Sequence, residues 1–290
     1  MQIKVKTPAK INLILEILKK REDGFHDIQS IMQAVNLYDF LTIEVEKIDN
    51  DENTIELSGN SAQIPYDKTN LVYKASELFL KKADLKGFKI KIHIEKNIPV
   101  AAGLAGGSSN AAGTLWGLNK IFAGILSSLE VHSLAAQMGS DLNFCLEGGT
   151  QIATSRGEVL SKISSPNLNI VIIKPENLFI SAKEAYTKYA NLPQKPEIKG
   201  LKEMKKAICQ NNLDKIALLL NNHLEDAIIS DYPEIQEIKD YLIQKGCKNA
   251  MMSGSGPSVF GIYQDEIDLS DAKPDWNCFK AKTVDFGIIH

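Results

Sequence analysis

"NIPVAAGLAGGSSNAAGTLWGLN", residues 97–119, sets glycines and serines between an apolar strand-like run and an apolar helix-like run. Beyond the loop, Ala111, Leu115, Leu118 and Phe122 recur at helical spacing, which predicts a helix starting near Ser108 or Ser109. The first N–H groups of a helix have no partner within it. The aligned peptide dipoles give that end about half a positive charge, so an anion is stabilised there. Gly103, Gly106 and Gly107 would let the backbone approach such an anion closely. Ser108 and Ser109 could cap the helix or offer hydroxyls to phosphate oxygens or a metal ion. A glycine-rich turn closed by a serine cap needs the same residues, and the loop alone leaves both readings open. Two phosphate signatures are excluded. No Lys-Ser or Lys-Thr follows the glycines, and "GLAGGSS" lacks the Gly-x-Gly-x-x-Gly spacing.

The segments around this loop alternate between strand and helix. "GFKIKIHIEK" (87–96) turns Phe88, Ile90, Ile92 and Ile94 inward and Lys89, Lys91, His93 and Glu95 outward, the period-2 pattern of a half-buried strand. "FLTIEVEK" (40–47) alternates in the same way, and "QIKVKT" and "INLILEIL" read as strand on either side of Pro8. Residues 70–85 read as a helix capped by Asn70 or Thr69, and another helix ends near Met138 with Gly139 as its stop. After the buried strand "NIVIIKP" (169–175), helical patterns dominate from about 181 to 246, including one long run, "DKIALLLNNHLEDAIIS" (214–230). "CKNAMMSGSGPSVFGIY" (247–263) returns to strand, loop and strand, and "NCFKAKTV" (277–284) reads as a closing strand. These patterns predict an α+β protein of two halves, 1–154 and 155–290, with a cleft between them.

Composition narrows the function classes. With 290 residues, 44% of them hydrophobic, the chain is long enough for two medium cores. A net charge of −3 gives no basic excess for nucleic acid or an anionic membrane, so any phosphate site must be built locally. The four cysteines form no CxxC pair and no metal spacing with histidine, which points to free thiols in a reducing, cytoplasmic setting. "MQIKVKTPAK" has no apolar leader character, and no stretch approaches a membrane span. Oligomeric state stays open.

Three further features carry chemistry. "SGSGPS" (253–258) suits a loop pressed against a ligand or a neighbouring segment, and a plain tight connection as well. Asp141, in "MGSDLNFCLEGG" (138–149), is either a helix-capping aspartate or a carboxylate held beside a reacting hydroxyl. Lys10 sits in "PAKIN" amid an apolar strand entry, and spacing alone does not connect it to Asp141.

Taken together and in this order, "TPAKINL" (7–13), "REDGFHDIQSIMQAVNLYD" (21–39), "GLAGGSSNAA" (103–112), "GSDLNFCLEGG" (139–149), "NNHLE" (221–225), "YPEI" (232–235) and "MMSGSGPSVFG" resemble the GHMP kinase superfamily over nearly the whole chain. The resemblance implies an N-terminal α/β domain and a C-terminal α+β, ferredoxin-like domain with ATP and substrate in the cleft. It implies ATP phosphates on Pro99, Ala101, Gly103, Leu104, Ala105, Gly106, Gly107, Ser108 and Ser109, with Mg²⁺ as the metal and its protein ligands open. Asp141 matches the catalytic base and Lys10 its charge partner, close enough to keep the carboxylate ionised. "DGFHDI" joined to "PAKIN" implies a small-molecule acceptor, a cytidine-diphosphate-linked methylerythritol phosphorylated on its 2-hydroxyl. Asn12 then matches a substrate contact, His26 a partner of the base edge, and Phe25 and Tyr186 the two faces of a clamp on the cytosine ring.

Four positions depart from the usual pattern. Ala105 replaces a glycine and is expected to sit where positive φ is not needed; Phe25 replaces a tyrosine. Asn143 and His223 replace a proline and an aspartate, which leaves their local roles open. His93, His132, His223 and His290 are expected to be ordinary solvent-facing histidines.

Overall fold

The computed structural model describes residues 1–198 and 200–288. The first half opens with two long strands, β1 (Gln2–Lys20) and β2 (His26–Lys47), then β3 (Thr54–Gly59), α1 (Leu71–Lys82) and β4 (Phe88–Glu95). Three helices follow, α2 (Gly106–Ile121), α3 (Ser128–Met138) and α4 (Asp141–Glu147), and then the hairpin β5 (Thr150–Ser155) and β6 (Val159–Ile163). The second half comprises β7 (Asn169–Pro175), α5 (Ala182–Ala190), α6 (Leu201–Cys209) and α7 (Leu213–Leu218). It continues with β8 (Asn221–Asn222), α8 (His223–Ile228), α9 (Pro233–Gln244), β9 (Asn249–Met252), β10 (Val259–Tyr263) and β11 (Trp276–Lys282).

Two sheets result. The larger runs β3-β4-β2-β1-β8, with β5 on the first half of β2 and β6 on β5; the smaller runs β11-β7-β10-β9, all antiparallel. The α+β expectation is met. A division after residue 154 falls inside the β5–β6 hairpin, whose strands pair only within the first sheet. By strand pairing, the first layer runs on to Ile163 and the second begins at Asn169.

β1 joins the three cores. Val5 packs under α1, α2 and α3, the run Ala9, Ile11 and Leu13 packs against one face of the smaller sheet, and Leu15 and Ile17 pack with its other face. Because side chains alternate along a strand, Lys10 and Asn12 face away from the Ala9–Ile11–Leu13 core. Register shifts between Pro8 and Ala9 and between Asn12 and Ile14 bracket these two polar residues, and such bulges re-aim side chains. α2 lies low on the sheet because Gly113 and Gly117 carry no side chain; a Cβ at either would press into Thr7, Leu41, Ile43 or Val5.

The capping expectations hold for α1 and α3: the Asn70 side chain accepts from Val72 N–H, and Gly139 closes α3. The long helical run at 214–230 does not form one helix. Asn221 and Asn222 leave α7, pair in parallel with Ile14 and Leu15, and Asn222 then caps α8 by accepting from Leu224 N–H. A tertiary strand pairing therefore overrides local helical periodicity. Among the described residues, no helix is long and apolar enough to cross a membrane. The four cysteines are free thiols.

Candidate active site

α2 begins at Gly106, two residues before the serines, and its cap is Ala105, which has no side-chain hydrogen bond to give. Ala105 takes φ 57° and ψ 24°, so the expectation that this position avoids positive φ is wrong. The turn into α2 needs a left-handed residue, and an alanine holds it at a cost of roughly 1–2 kcal/mol relative to right-handed backbone. Gly103, with φ 73°, fits here because a Cβ would collide with the Ser253 carbonyl. The "SGSGPS" loop is thus pressed against the glycine loop, and Ser253 Oγ donates to Gly103 O at 3.1 Å. The N–H groups of Gly106, Gly107 and Ser108 fall in the first turn, which an α-helix cannot satisfy itself. They border a cavity of about 280 Å³ lined by every residue assigned to the phosphate loop except Ser109.

Ser109 is the exception for a clear reason. It is buried, its hydroxyl donates to Pro8 O at 2.7 Å, and its N–H donates to Ala105 O at 2.8 Å. It fastens α2 to β1 and has no donor left for a ligand. The strand-to-loop entry is equally fixed. Buried Asp39 pairs with Lys96 and accepts from the N–H groups of Asn97 and Ile98 at 2.7 and 2.8 Å. Lys96 lines the same cavity. Sequence reading missed this pair, although an aspartate followed by an apolar strand in "LYDFLTIEV" was its available signal.

A second cavity of about 830 Å³ meets the first, the two sharing Gly103, Ala105 and Ser108. It brings together Lys10, Asn12, Phe25, His26, Asp141 and Tyr186, which are far apart in sequence. Asp141 is the first residue of α4, where the helix dipole favours a carboxylate, and the buried Leu142, Phe144, Cys145 and Leu146 anchor that helix. Lys10 is buried and donates to Asn12 Oδ1 at 2.6 Å and to Gly103 O at 3.0 Å. Burial lowers its pKa from the ordinary lysine value, partly opposed by the nearby charge of Asp141. The expected close contact is not made: Lys10 bonds to Asn12 and the glycine loop, and feels Asp141 through space. Asn12 is fully buried yet lines this cavity; it passes one amide N–H to Ser30 Oγ at 2.9 Å and its oxygen orients Lys10.

The far end of this cavity is built from side chains on exposed loops and a helix. Phe25 is 56% exposed, and its ring faces the Arg156 guanidinium at 5.2 Å. Phe25 and Tyr186 both line this cavity. The Tyr186 ring stacks on His26 at 5.3 Å and 22°, and the Tyr189 edge meets His26 at 6.3 Å. Burial and the cations Lys20 and Lys195 push the His26 pKa down, leaving a neutral imidazole at pH 7. Burial, with a smaller contribution from Asp141, raises the Tyr186 phenol to about 12.

The remaining histidines divide. His93 is solvent-facing, as expected, and bonds Ser58 Oγ at 3.0 Å. His132 is partly buried between Asn143 Oδ1 at 3.0 Å and Glu147 Oε1 at 2.9 Å, which gives Asn143 a role in fixing α4 on α3. His223 is a core residue and not a solvent one: Ile17 N–H donates to its Nδ1 at 3.1 Å and Tyr189 stacks on its ring. His290 lies outside the described residues.

Comparison with known proteins adds independent weight. Residues 70–151 match the GHMP kinases N terminal domain, and residues 204–282 match the GHMP kinases C terminal. The chain is 42% identical over 273 residues to the 4-diphosphocytidyl-2-C-methyl-D-erythritol kinase of Caldicellulosiruptor bescii, covering 93% of this chain and 92% of that one. It is 39% identical over 277 residues to the kinase of the same name from Clostridioides difficile, covering 94% and 90%. Among solved structures, a 4-(cytidine 5'-diphospho)-2C-methyl-D-erythritol kinase superposes with a TM-score of 0.79 at 26% identity, over 97% of this chain and 99% of that one. The Methanococcus jannaschii mevalonate kinase superposes at 0.73 and 18% identity over 98% and 99%, a likeness of fold.

Proposed function

The chain belongs to the GHMP kinases and, within them, to the 4-diphosphocytidyl-2-C-methyl-D-erythritol kinases; on that premise we propose that Asp141 and Lys10 carry phosphoryl transfer from ATP to the 2-hydroxyl of this substrate. One observation supports the residue roles above all: the phosphate-loop cavity and the Asp141 cavity share Gly103, Ala105 and Ser108. A nucleotide whose phosphates rest on the first turn of α2 presents its terminal phosphorus to the chamber where Asp141 waits.

Asp141 takes the proton of the acceptor hydroxyl, the freed oxygen pair forms the new bond to the γ-phosphorus, and the bond to the β-phosphate oxygen breaks with its electrons leaving on ADP. Lys10 supplies positive charge at the junction of the two cavities. Its bonds to Asn12 and Gly103 O hold it there before substrate arrives, so little reorganisation is needed during transfer. The first-turn N–H groups of α2 receive the phosphates. Among the described residues, no cluster of three or more His, Cys, Asp or Glu side chains could form a protein cage for a metal. At the loop, Ser108 Oγ would be the protein oxygen offered to Mg²⁺, with phosphate oxygens and water as its other ligands, and the ion would supply positive charge against the phosphates. Phe25, His26 and Tyr186 hold the cytosine end, with neutral His26 able to accept as well as donate a hydrogen bond.

The deciding experiment is ADP release with Mg-ATP and a panel of 4-diphosphocytidyl-2-C-methyl-D-erythritol, mevalonate, homoserine and galactose. Turnover with the first compound alone is expected, and turnover with another member would replace the assigned acceptor. Asp141→Asn is expected to lower kcat by about 1,000-fold with the fold intact, the scale of a lost general base. A near-normal rate in that variant would remove Asp141 from the mechanism.

A further inference from the structure

The charges lining the larger cavity do not match the chain that encloses it. The protein carries a net −3, yet Lys10, Lys20, Arg156 and Lys183 face this space against one carboxylate, Asp141. Two of the cations are held by partners: Lys10 is tied to Asn12 and the glycine loop, and Arg156 sits over Phe25 and bonds Glu158 at 3.4 Å. Lys20 stands at the base end, near the His26 imidazole. Lys183 stands between the ends, on α5. Among the described residues its ammonium has no carboxylate, carbonyl or aromatic partner, although its neighbour Lys188 is paired with Asp231 at 2.5 Å.

Its place on the helix is informative. Lys183, Tyr186, Thr187 and Ala190 all line the cavity, the i, i+3, i+4, i+7 stripe of one helix face. Tyr186, one turn after Lys183, touches both ends of the chamber: its ring stacks on His26, and its hydroxyl lies within the influence of Asp141. A ligand that reaches from the base end to the reacting end must pass this stretch of α5. We propose that Lys183 is a specificity-determining residue that pairs with the diphosphate linking the cytidine to the acceptor alcohol. This rests on the kinase reading above and adds a residue that neither the sequence motifs nor the phosphate loop supply. An unpaired lysine is suited to the task, because no intramolecular ion pair has to be broken before it meets the ligand. A flexible ammonium also follows a diphosphate as a point charge without demanding one bidentate geometry.

The test compares binding of CDP and of cytidine, each as a competitive inhibitor against the natural substrate and by calorimetry, in wild type, Lys183→Ala, Lys183→Arg and Lys188→Ala. In wild type, CDP is expected to bind more tightly than cytidine. Lys183→Ala should shrink that advantage by about tenfold, the scale of one charge-assisted hydrogen bond, leaving cytidine affinity and KM for ATP unchanged. Lys183→Arg should restore most of it, and Lys188→Ala should behave as wild type. Alanine at an exposed position in the first turn of a helix is well tolerated, and an unchanged melting temperature checks this. An undiminished CDP advantage in Lys183→Ala overturns the proposal while the kinase reading stands. Equal binding of CDP and cytidine by wild type also overturns it, and failure of wild type to bind either compound removes the kinase reading with it.

Discussion

The two ends of the cleft are made of different material. The phosphate end is backbone: first-turn N–H groups of α2, a glycine pressed on the Ser253 carbonyl, and an entry segment pinned by buried Asp39. The base end is side chain: a half-exposed Phe25 over Arg156, and a His26 that leans on Tyr186 where a flat ligand ring would lie. On the proposed assignment, backbone donors set by the fold would be in place before ATP arrives, whereas the base end would have to exchange the His26–Tyr186 contact for a ring–ligand contact. Damage at the phosphate end should therefore cost both stability and rate, and damage at the base end should appear in substrate KM alone.

Among the variants that separate the two ends, Gly103→Ala should have the largest effect. A methyl there meets the Ser253 carbonyl, a backbone atom that cannot swing aside, at a φ of 73°. A displacement of about 1 Å in the loop costs on the order of 100-fold in rate, so kcat/KM for ATP should fall at least about that far. The same clash should lower stability by about 2–3 kcal/mol in denaturant titration. Loss of activity with unchanged stability would show that the loop is less constrained than its packing implies.

Lys10 stands between the ends and tests the junction. Lys10→Met should reduce kcat by about 100-fold, the scale of one preorganised electrostatic donor. Burial holds its folded pKa below the ordinary lysine value, so in wild type activity should fall as pH rises, starting below 10.5. Between the folded and unfolded pKa values the unfolded chain binds the extra proton, so the Lys10 contribution to stability grows with pH across this window. Wild type should therefore lose rate while gaining stability relative to Lys10→Met. A parallel loss of both would assign the alkaline limb to unfolding.

At the base end, Phe25→Ala should raise KM for the cytidylylated substrate about tenfold, in line with a lost aromatic stack, and leave KM for ATP and the melting temperature unchanged. An unchanged substrate KM would mean that the stack on Tyr186 suffices. A change in KM for ATP would mean that the two ends are coupled, against the contrast drawn between them.

What could be read from the residues follows the same divide. Alternation in "GFKIKIHIEK" predicts β4 because one face of that strand is core, and the helical spacing of Ala111, Leu115, Leu118 and Phe122 predicts α2 because that stripe packs on the same core. Phe25, His26 and Tyr186 are legible only through the resemblance, and the stack of Tyr186 on His26 has no signal there, since nothing in the chain tells which ring Tyr186 meets without ligand. "DKIALLLNNHLEDAIIS" misleads because Asn221 and Asn222 are claimed by Ile14 and Leu15 of β1, 207 residues earlier in the chain, and local period carries no trace of that pairing. His223 and Lys10 teach the same lesson. Their partners are Ile17 N–H in one case and Asn12 with Gly103 O in the other, and neither follows from a motif.

Ala105 gives the smallest effect and the finest test of the phosphate end. It holds φ 57°, where an alanine costs roughly 1–2 kcal/mol and a glycine nearly nothing. Two terms oppose the gain from Ala105→Gly: a freer unfolded chain, about 0.4–1 kcal/mol, and the loss of a partly buried methyl that packs against the first core. The strain term is the larger, so the variant should be more stable by about 0.5 kcal/mol in urea titration, with KM for ATP unchanged or slightly lower. A clear loss of stability would show that the methyl, and not the turn, decides this position. Unchanged stability with a higher KM for ATP would show that alanine stiffens the loop in its anion-binding shape, so that the strain is retained for binding.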